Sequence, residues 1–138
     1  MPYQELDHTA DAGVMVEGSS AEETLARLVL SFGDMLAGGA EVHEDRELRI
    51  EVEPGDRAAM AVDVLRELLF QFDSAARVPA SCRVIRFDPE SGGEVVVGTG
   101  PYDVEAHAEG LAFKAVTLHQ ALFAAENGTW HARIVFDV

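Results

Sequence analysis

The stretch WHARIVFDV at residues 130–138 alternates between two kinds of side chain. Every second position is apolar, beginning at the tryptophan, and these positions are Trp130, Ala132, Ile134, Phe136 and Val138. A period of two is typical of a β-strand that buries one face. The sequence therefore predicts a strand over 130–137, with Asp137 on the face opposite to Phe136 and Val138.

The residues before this strand predict an antiparallel sheet. Asn127-Gly128 lies between two apolar runs, which is a strong signal for a tight hairpin. Alternating or β-rich runs predict the other strands, at 12–17, 47–53, 81–87, 93–98, 103–107 and 111–124. The segment 112–124 is also compatible with partly helical structure.

Two helices are predicted from their end signals and their apolar faces. The first begins at SSAEE, residues 19–23, which resembles a capping box, and it ends at Gly38-Gly39. The second follows Asp56 and runs to about Phe72. Strands and helices do not alternate regularly, which favours an α+β sandwich with two helices packed on a mostly antiparallel sheet. The length of 138 residues predicts a single domain over 1–138.

The charge balance restricts the class of partner. The chain has 25 acidic and 10 basic residues, and its formal net charge is −15. Binding a nucleic-acid backbone requires clustered Lys and Arg, whereas the basic residues here are scattered along the sequence. We therefore expect no tight direct binding of nucleic acid, and we expect cations or a basic protein surface as partners. The alternative is that the acidity serves only solubility.

Other features of the composition indicate the cytosol. No apolar run approaches the ~20 residues of a membrane span, and the N-terminus MPYQELDHTAD does not resemble a secretory signal. We therefore expect no membrane association. Cys82 is the only cysteine, which excludes an internal disulfide.

Motifs for common enzyme chemistry are absent. The sequence contains no P-loop, no dinucleotide-binding glycine pattern, no HExxH and no GxSxG. Their absence weakens the interpretation as an enzyme.

Several polar residues remain as candidates for function. In DHTAD, residues 7–11, the acidic side chains and His8 are candidate metal ligands or acid–base groups; the alternative is a turn capped by Asp7 or Thr9. Lys114 and His119 would face opposite sides of a regular strand, so a bulge or turn is needed to bring them together. The alternative is that both are ordinary surface or hydrogen-bonded side chains.

The acidic end of the sequence is a further candidate site. Asp137 and the α-carboxylate of Val138 are adjacent in the sequence, and Asp11 would join them if the last strand runs beside the strand starting near Ala12. Clustered carboxylates repel one another unless a cation neutralises them. Hard oxygen ligands suit Ca²⁺, Mg²⁺ or Mn²⁺. The alternative is a solvated terminus with a surface aspartate.

Four blocks of sequence resemble the archease family. They are HTADAGVMVEGSSAEETL at 8–25, VDVLRELLFQFD at 62–73, KAVTLH at 114–119 and IVFDV at 134–138, in the order found in that family. The family pattern usually has an aromatic residue where this chain has Val64, and a tyrosine where it has Leu118. These two departures concern packing or partner contact more than the acidic residues.

The resemblance implies a function. Archease is an accessory protein of the RtcB-type RNA ligase in tRNA splicing and RNA repair; it promotes guanylylation of the ligase and multiple turnover, and it is not itself a ligase. The resemblance implies a divalent-metal site formed by Asp11, Asp137 and the carboxylate end of Val138, with Ca²⁺ as the first candidate and Mg²⁺ or Mn²⁺ as alternatives. His8, Lys114 and His119 lie in matching motifs without an assigned role.

Two other classes of function are open. A small metal-dependent hydrolase would use Asp11 and Asp137 to activate water, and it would turn over substrate by itself. A chaperone-like binding module would act without metal.

Overall fold

The computed structural model describes residues 3–7 and 11–138, and it confirms the α+β class with two helices. The seven strands and two helices occur in the order β1 (Gln4–Asp7), β2 (Asp11–Gly18), α1 (Ala21–Ala37), β3 (Arg46–Val52), α2 (Arg57–Ala75), β4 (Arg77–Asp88), β5 (Gly92–Pro101), β6 (Ala115–Glu126) and β7 (Thr129–Asp137). None of the described helices is long and apolar enough to cross a membrane.

The strands form two antiparallel sheets. The first, sheet A, has the order β1-β2-β7-β6, and the second, sheet B, has the order β3-β5-β4. The strand β7, which the alternating pattern predicts, is an interior strand of sheet A. The apolar set of that pattern faces the core, because Ala132, Ile134 and Phe136 are fully buried. Both helices and strands of both sheets contribute to one cluster of buried apolar side chains.

The helix ends follow the local signals in the sequence. The Ser20 hydroxyl accepts a hydrogen bond from the Glu23 N–H at 3.0 Å, and the Ser19 N–H donates to Glu23 Oε1 at 2.9 Å. Gly38 ends α1 with a φ of 64°, a left-handed conformation that glycine adopts without steric cost. At α2, Asp56 accepts from the Ala59 N–H at 3.0 Å. This helix continues beyond the predicted end at Phe72.

The hairpin between β6 and β7 is also confirmed. Asn127 and Gly128 have φ values of 54° and 80°. Two successive residues with positive φ are the requirement of a type I′ turn, which matches the twist of the strands it connects. The strand before it begins at Ala115 and continues to Glu126, later at both ends than predicted, and it is not helical.

The prediction of a strand over 103–107 is wrong, because these residues belong to a turn. The Asp103 carboxylate accepts hydrogen bonds from the N–H groups of Glu105 and Ala106 at 2.9 and 3.0 Å. These backbone donors, Ala106 first, lower the pKa of Asp103. An aspartate side chain that accepts hydrogen bonds from the backbone two and three residues later stabilises a turn at the expense of a strand.

His107 holds this turn against another part of the chain. Its side chain is only 2% exposed. Nδ1 accepts from the Asp103 N–H at 2.9 Å, so Nε2 is the nitrogen that donates to the Glu41 carbonyl, also at 2.9 Å. The imidazole therefore joins the turn to the segment that follows α1 while satisfying both of its nitrogens.

Candidate metal site on sheet A

Asp11 and Asp137 lie directly opposite each other on neighbouring strands. The antiparallel register of β2 and β7 pairs these two residues, and the register of β6 and β7 pairs Asp137 with Ala115. Opposed residues point to the same face of a sheet with Cβ atoms about 4.5–5.5 Å apart. The pairing that the sequence permits is thus the one that forms, and it places two carboxylates side by side.

The position of Asp137 is fixed by the strands and by the core next to it. The Lys114 backbone N–H donates to the Asp137 carbonyl at 2.8 Å. The neighbouring Phe136 is fully buried, and its ring centroid lies 4.6 Å from that of Phe113. The backbone of Asp137 is therefore held from both sides while its side chain is exposed.

Val138 is exposed, whereas the alternating pattern predicts that it is buried. The alternating pattern places Val138 on the buried face as an apolar anchor, but it lies beyond β7 and its exposed fraction is 39%. Phe136 is the last buried residue of the strand. The α-carboxylate of Val138, a ligand in the sequence-based prediction, would follow directly on Asp137, at the same end of the strand.

The chemistry of this end of the sheet fits a hard cation. Over residues 3–7 and 11–138, no group of three or more His, Cys, Asp and Glu side chains forms a ready metal cluster. The described part contributes the side-chain carboxylates of Asp11 and Asp137, and the α-carboxylate of Val138 is the third ligand that the sequence predicts. Carboxylate oxygens are the ligands of Ca²⁺, Mg²⁺ and Mn²⁺, and Ca²⁺ takes 6–8 oxygens in total. Three carboxylates would leave part of that coordination shell to water or to another molecule.

The other candidate residues are only partly placed. His8 lies outside the described residues. Lys114 and His119 are both exposed, and within the described part of the chain neither side chain has a hydrogen bond or an ion pair. A bulge, which would be needed to bring the two side chains together, is present in β6. The register of β6 against β7 shifts between Thr117 and Leu122.

This bulge has a defined geometry. Residues 118–121 lie opposite Ile134 alone, and Gln120 has a φ of 54°, which is uncommon for a residue other than glycine. The Arg133 Nε donates to the Gln120 carbonyl at 2.9 Å and so holds the bulge against β7. The Lys114 ammonium and the His119 ring nevertheless form no hydrogen bond with each other.

The two departures from the family pattern fall in different environments. Val64 is 1% exposed on the core side of α2, so its departure concerns packing. Leu118 is 54% exposed at the start of the bulge, so its departure concerns the surface. Neither residue is part of the row that contains Asp11 and Asp137.

Burial makes Cys82 a weak nucleophile at neutral pH. Burial raises the pKa of the Cys82 thiol to about 12. The thiolate is the nucleophilic form of cysteine, and at this pKa it is scarcely populated. Cys82 is a packing residue of β4.

The molecule is a small acidic α+β protein with a carboxylate pair at the end of an interior strand. The Archease protein family model matches residues 3–138. The chain belongs to the archease family.

Similar proteins cover the full length of the chain. The protein archease of Methanopyrus kandleri is 31% identical over 140 residues, which is 100% of both chains. That of Methanothermobacter thermautotrophicus is 30% identical and covers 99% of this chain and 98% of its own.

Two solved structures have the same fold. A solution structure of a Methanobacterium thermoautotrophicum protein has a TM-score of 0.75 at 27% identity, covering 99% of this chain and 98% of that chain. A crystal structure from Thermotoga maritima, described as an archease and possible chaperone, has a TM-score of 0.65 at 20% identity and covers 98% and 96%.

Proposed function

We propose that this protein is an accessory protein of an RtcB-type RNA ligase. In this proposal it promotes guanylylation of the active-site histidine of the ligase and supports multiple turnover in tRNA splicing or RNA repair, and it does not join RNA itself. Membership of the archease family supports the proposal, as does the net charge of −15, which favours a basic partner. The proposed location is the cytoplasm.

The proposed site is a divalent-cation site made of Asp11, Asp137 and the α-carboxylate of Val138. Ca²⁺ is the first candidate, and Mg²⁺ or Mn²⁺ are the alternatives. The observation that carries this proposal is the register of β2 and β7, which sets the two side-chain carboxylates opposite each other. Anions this close repel, and a cation between them removes the repulsion.

The shape of the site suggests how it could serve a ligase. Asp137 is exposed at the end of a strand, and the three carboxylates do not complete the shell of a Ca²⁺ ion. A cation held in this way keeps coordination positions open for groups of a partner. The protein would then position or exchange a metal ion at the ligase active site, where metal and GTP are needed.

Two rival functions make different predictions. A hydrolase that activates water between Asp11 and Asp137 would turn over substrate without the ligase. A general chaperone-like binding module would act without a cation; the description of the Thermotoga maritima structure as a possible chaperone is in line with this alternative. Metal titration separates the chaperone from the other two, and assays with and without ligase separate those from each other.

We expect the isolated chain to take up no guanylyl group from GTP, because its sequence contains no nucleotide-binding motif. With the cognate ligase present, ligase guanylylation should accelerate, and the covalent label should appear on the ligase alone. Gel analysis after incubation with radiolabelled GTP measures both. A labelled adduct on this chain, or an unchanged rate of ligase labelling, would contradict the proposal.

A short C-terminal extension should weaken cation binding and ligase stimulation together. It converts the α-carboxylate of Val138 into a neutral amide and moves the terminal charge away from Asp137. Calorimetry with Ca²⁺, Mg²⁺ and Mn²⁺ on the native and extended proteins is the measurement, with an N-terminally extended protein as the control. Equal affinities of the native and C-terminally extended proteins would show that Val138 contributes no ligand.

A further inference from the structure

Phe70 of α2 is the one aromatic residue among the large apolar side chains that are exposed in the described part of the chain. Its exposed fraction is 59%, whereas its neighbours Leu68 and Leu69 are 1% and 6% exposed. A single exposed apolar residue is common on protein surfaces and requires no explanation by itself. The position of Phe70 relative to the candidate metal site is the reason to consider it as a contact residue.

Two contacts establish how α2 runs along sheet A. At the start of the helix, the Arg57 guanidinium lies over the ring of Trp130, 5.0 Å from the ring centroid, and Trp130 is paired with Ala125 of β6. Further along, the Arg66 Nε donates to the Val116 carbonyl at 3.0 Å. The helix therefore runs antiparallel to β6, which is the strand at one edge of sheet A.

The same geometry places Phe70 near the end of β6 that is paired with Asp137. Phe70 follows Arg66 by four residues, so it lies on the same side of the helix and about 6 Å further along the axis. About two residues of a strand span that distance. Because the helix and β6 are antiparallel, Phe70 lies at the level of Lys114 and Ala115 rather than of Val116. Ala115 is paired with Asp137, and Asp137 with Asp11.

Other exposed apolar side chains lie in the same region. The seven large exposed ones of the described chain include Phe70, Leu118 at 54% and Val138 at 39%. Leu118 is two residues from Val116 on β6, and Val138 is adjacent to Asp137. Val138 therefore adjoins the row of paired residues that holds the carboxylates, and Leu118 lies three residues along β6 from Ala115, the member of that row on β6.

We propose that Phe70, together with Leu118 and Val138, is the surface that contacts the RtcB-type ligase; this inference rests on the proposed function. The partner surface would offer an apolar pocket for the phenyl ring next to cationic groups or bound metal, because the neighbouring carboxylates would repel an acidic surface. Buried aromatic anchors surrounded by weaker contacts are the usual distribution of energy in protein interfaces. Phe70 is the anchor, and Leu118 and Val138 are the surrounding contacts.

The test compares Phe70→Ala with Ile85→Ala. Ile85 is 46% exposed, and it lies on β4, in sheet B. Association with the cognate RtcB-type ligase is measured by titration calorimetry, and Ca²⁺ binding and thermal unfolding are measured on each variant alone. Phe70→Ala should weaken ligase association at least tenfold while leaving Ca²⁺ affinity and the unfolding midpoint unchanged, and Ile85→Ala should leave all three unchanged.

The outcomes separate this inference from the proposed function. If the unsubstituted protein binds the ligase and Phe70→Ala binds it as tightly, the surface is wrong and the proposed function stands. If the unsubstituted protein does not bind the ligase, both are wrong. If Phe70→Ala instead abolishes self-association in sedimentation experiments and leaves ligase binding unchanged, the surface contacts a second copy of the chain and the inference is overturned.

Discussion

Asp137→Asn is expected to lower the affinity of the protein for divalent cations at least tenfold and to reduce ligase stimulation in proportion. The amide keeps the shape of the side chain but removes the negative charge that a hard cation requires. The fold should be unaffected, because Asp137 is exposed and its contacts with the neighbouring strands are made by the backbone. Calorimetry with Ca²⁺ and a ligase guanylylation assay on the same preparation are the measurements.

Two further variants control this experiment. Asp11→Asn removes the opposing carboxylate and should give a similar loss. Glu90→Gln changes the net charge by the same amount at an exposed turn between β4 and β5, so it should leave both properties unchanged. If Asp137→Asn binds Ca²⁺ as tightly as the unsubstituted protein, the carboxylate pair is not a cation site.

His107→Ala is expected to reduce the free energy of unfolding by about 3 kcal/mol. The substitution leaves a cavity at a position that is 2% exposed, and it removes the partners of the Asp103 N–H and the Glu41 carbonyl. Unsatisfied backbone groups and cavities are among the few mechanisms that give effects of this size. Urea denaturation followed by circular dichroism measures the loss.

The matched control for this variant is His43→Ala. His43 is exposed, so its removal should change the free energy of unfolding by no more than about 0.5 kcal/mol. A loss below about 1 kcal/mol for His107→Ala would mean that water replaces the imidazole at both hydrogen bonds. The interpretation of His107 as the residue that holds the turn would then be wrong.

Features that depend on neighbouring residues could be predicted from the sequence. The cap at Ser20, the left-handed Gly38 and the Asn127-Gly128 turn each follow from residues a few positions apart. The alternation in β7 is equally local, and it identifies the buried face correctly at Ile134. Local signals of this kind are decided by backbone sterics and side-chain period, which act within one element.

Features that depend on distant partners could not be predicted. The role of His107 depends on a carbonyl at Glu41, and every residue carries a carbonyl, so no sequence pattern identifies the partner. The Arg66 side chain likewise donates to a carbonyl 50 residues away, that of Val116, which no local pattern indicates. The division of the strands into two sheets also depends on which strands pair with each other. An alternating sequence pattern predicts a strand but does not identify its partner strand.

The candidate site lies between these cases. Asp11 and Asp137 are recognisable as a possible pair because each stands at the end of a predicted strand. The sequence permits that register without requiring it, since a shift of one residue would place the two side chains on opposite faces. The apolar positions Ala12 and Phe136, which are paired and buried, exclude the shifted register.

The interior position of β7 also determines when sheet A can form during synthesis. A chain emerging from the ribosome produces β2 and β6 before β7, the strand that pairs with both. Sheet B, whose three strands all precede β6, can form first, whereas sheet A must wait with open edges for its central strand. Asp11 acquires its opposing carboxylate only at that last step, so a nascent chain cannot hold a cation at this pair before sheet A has closed.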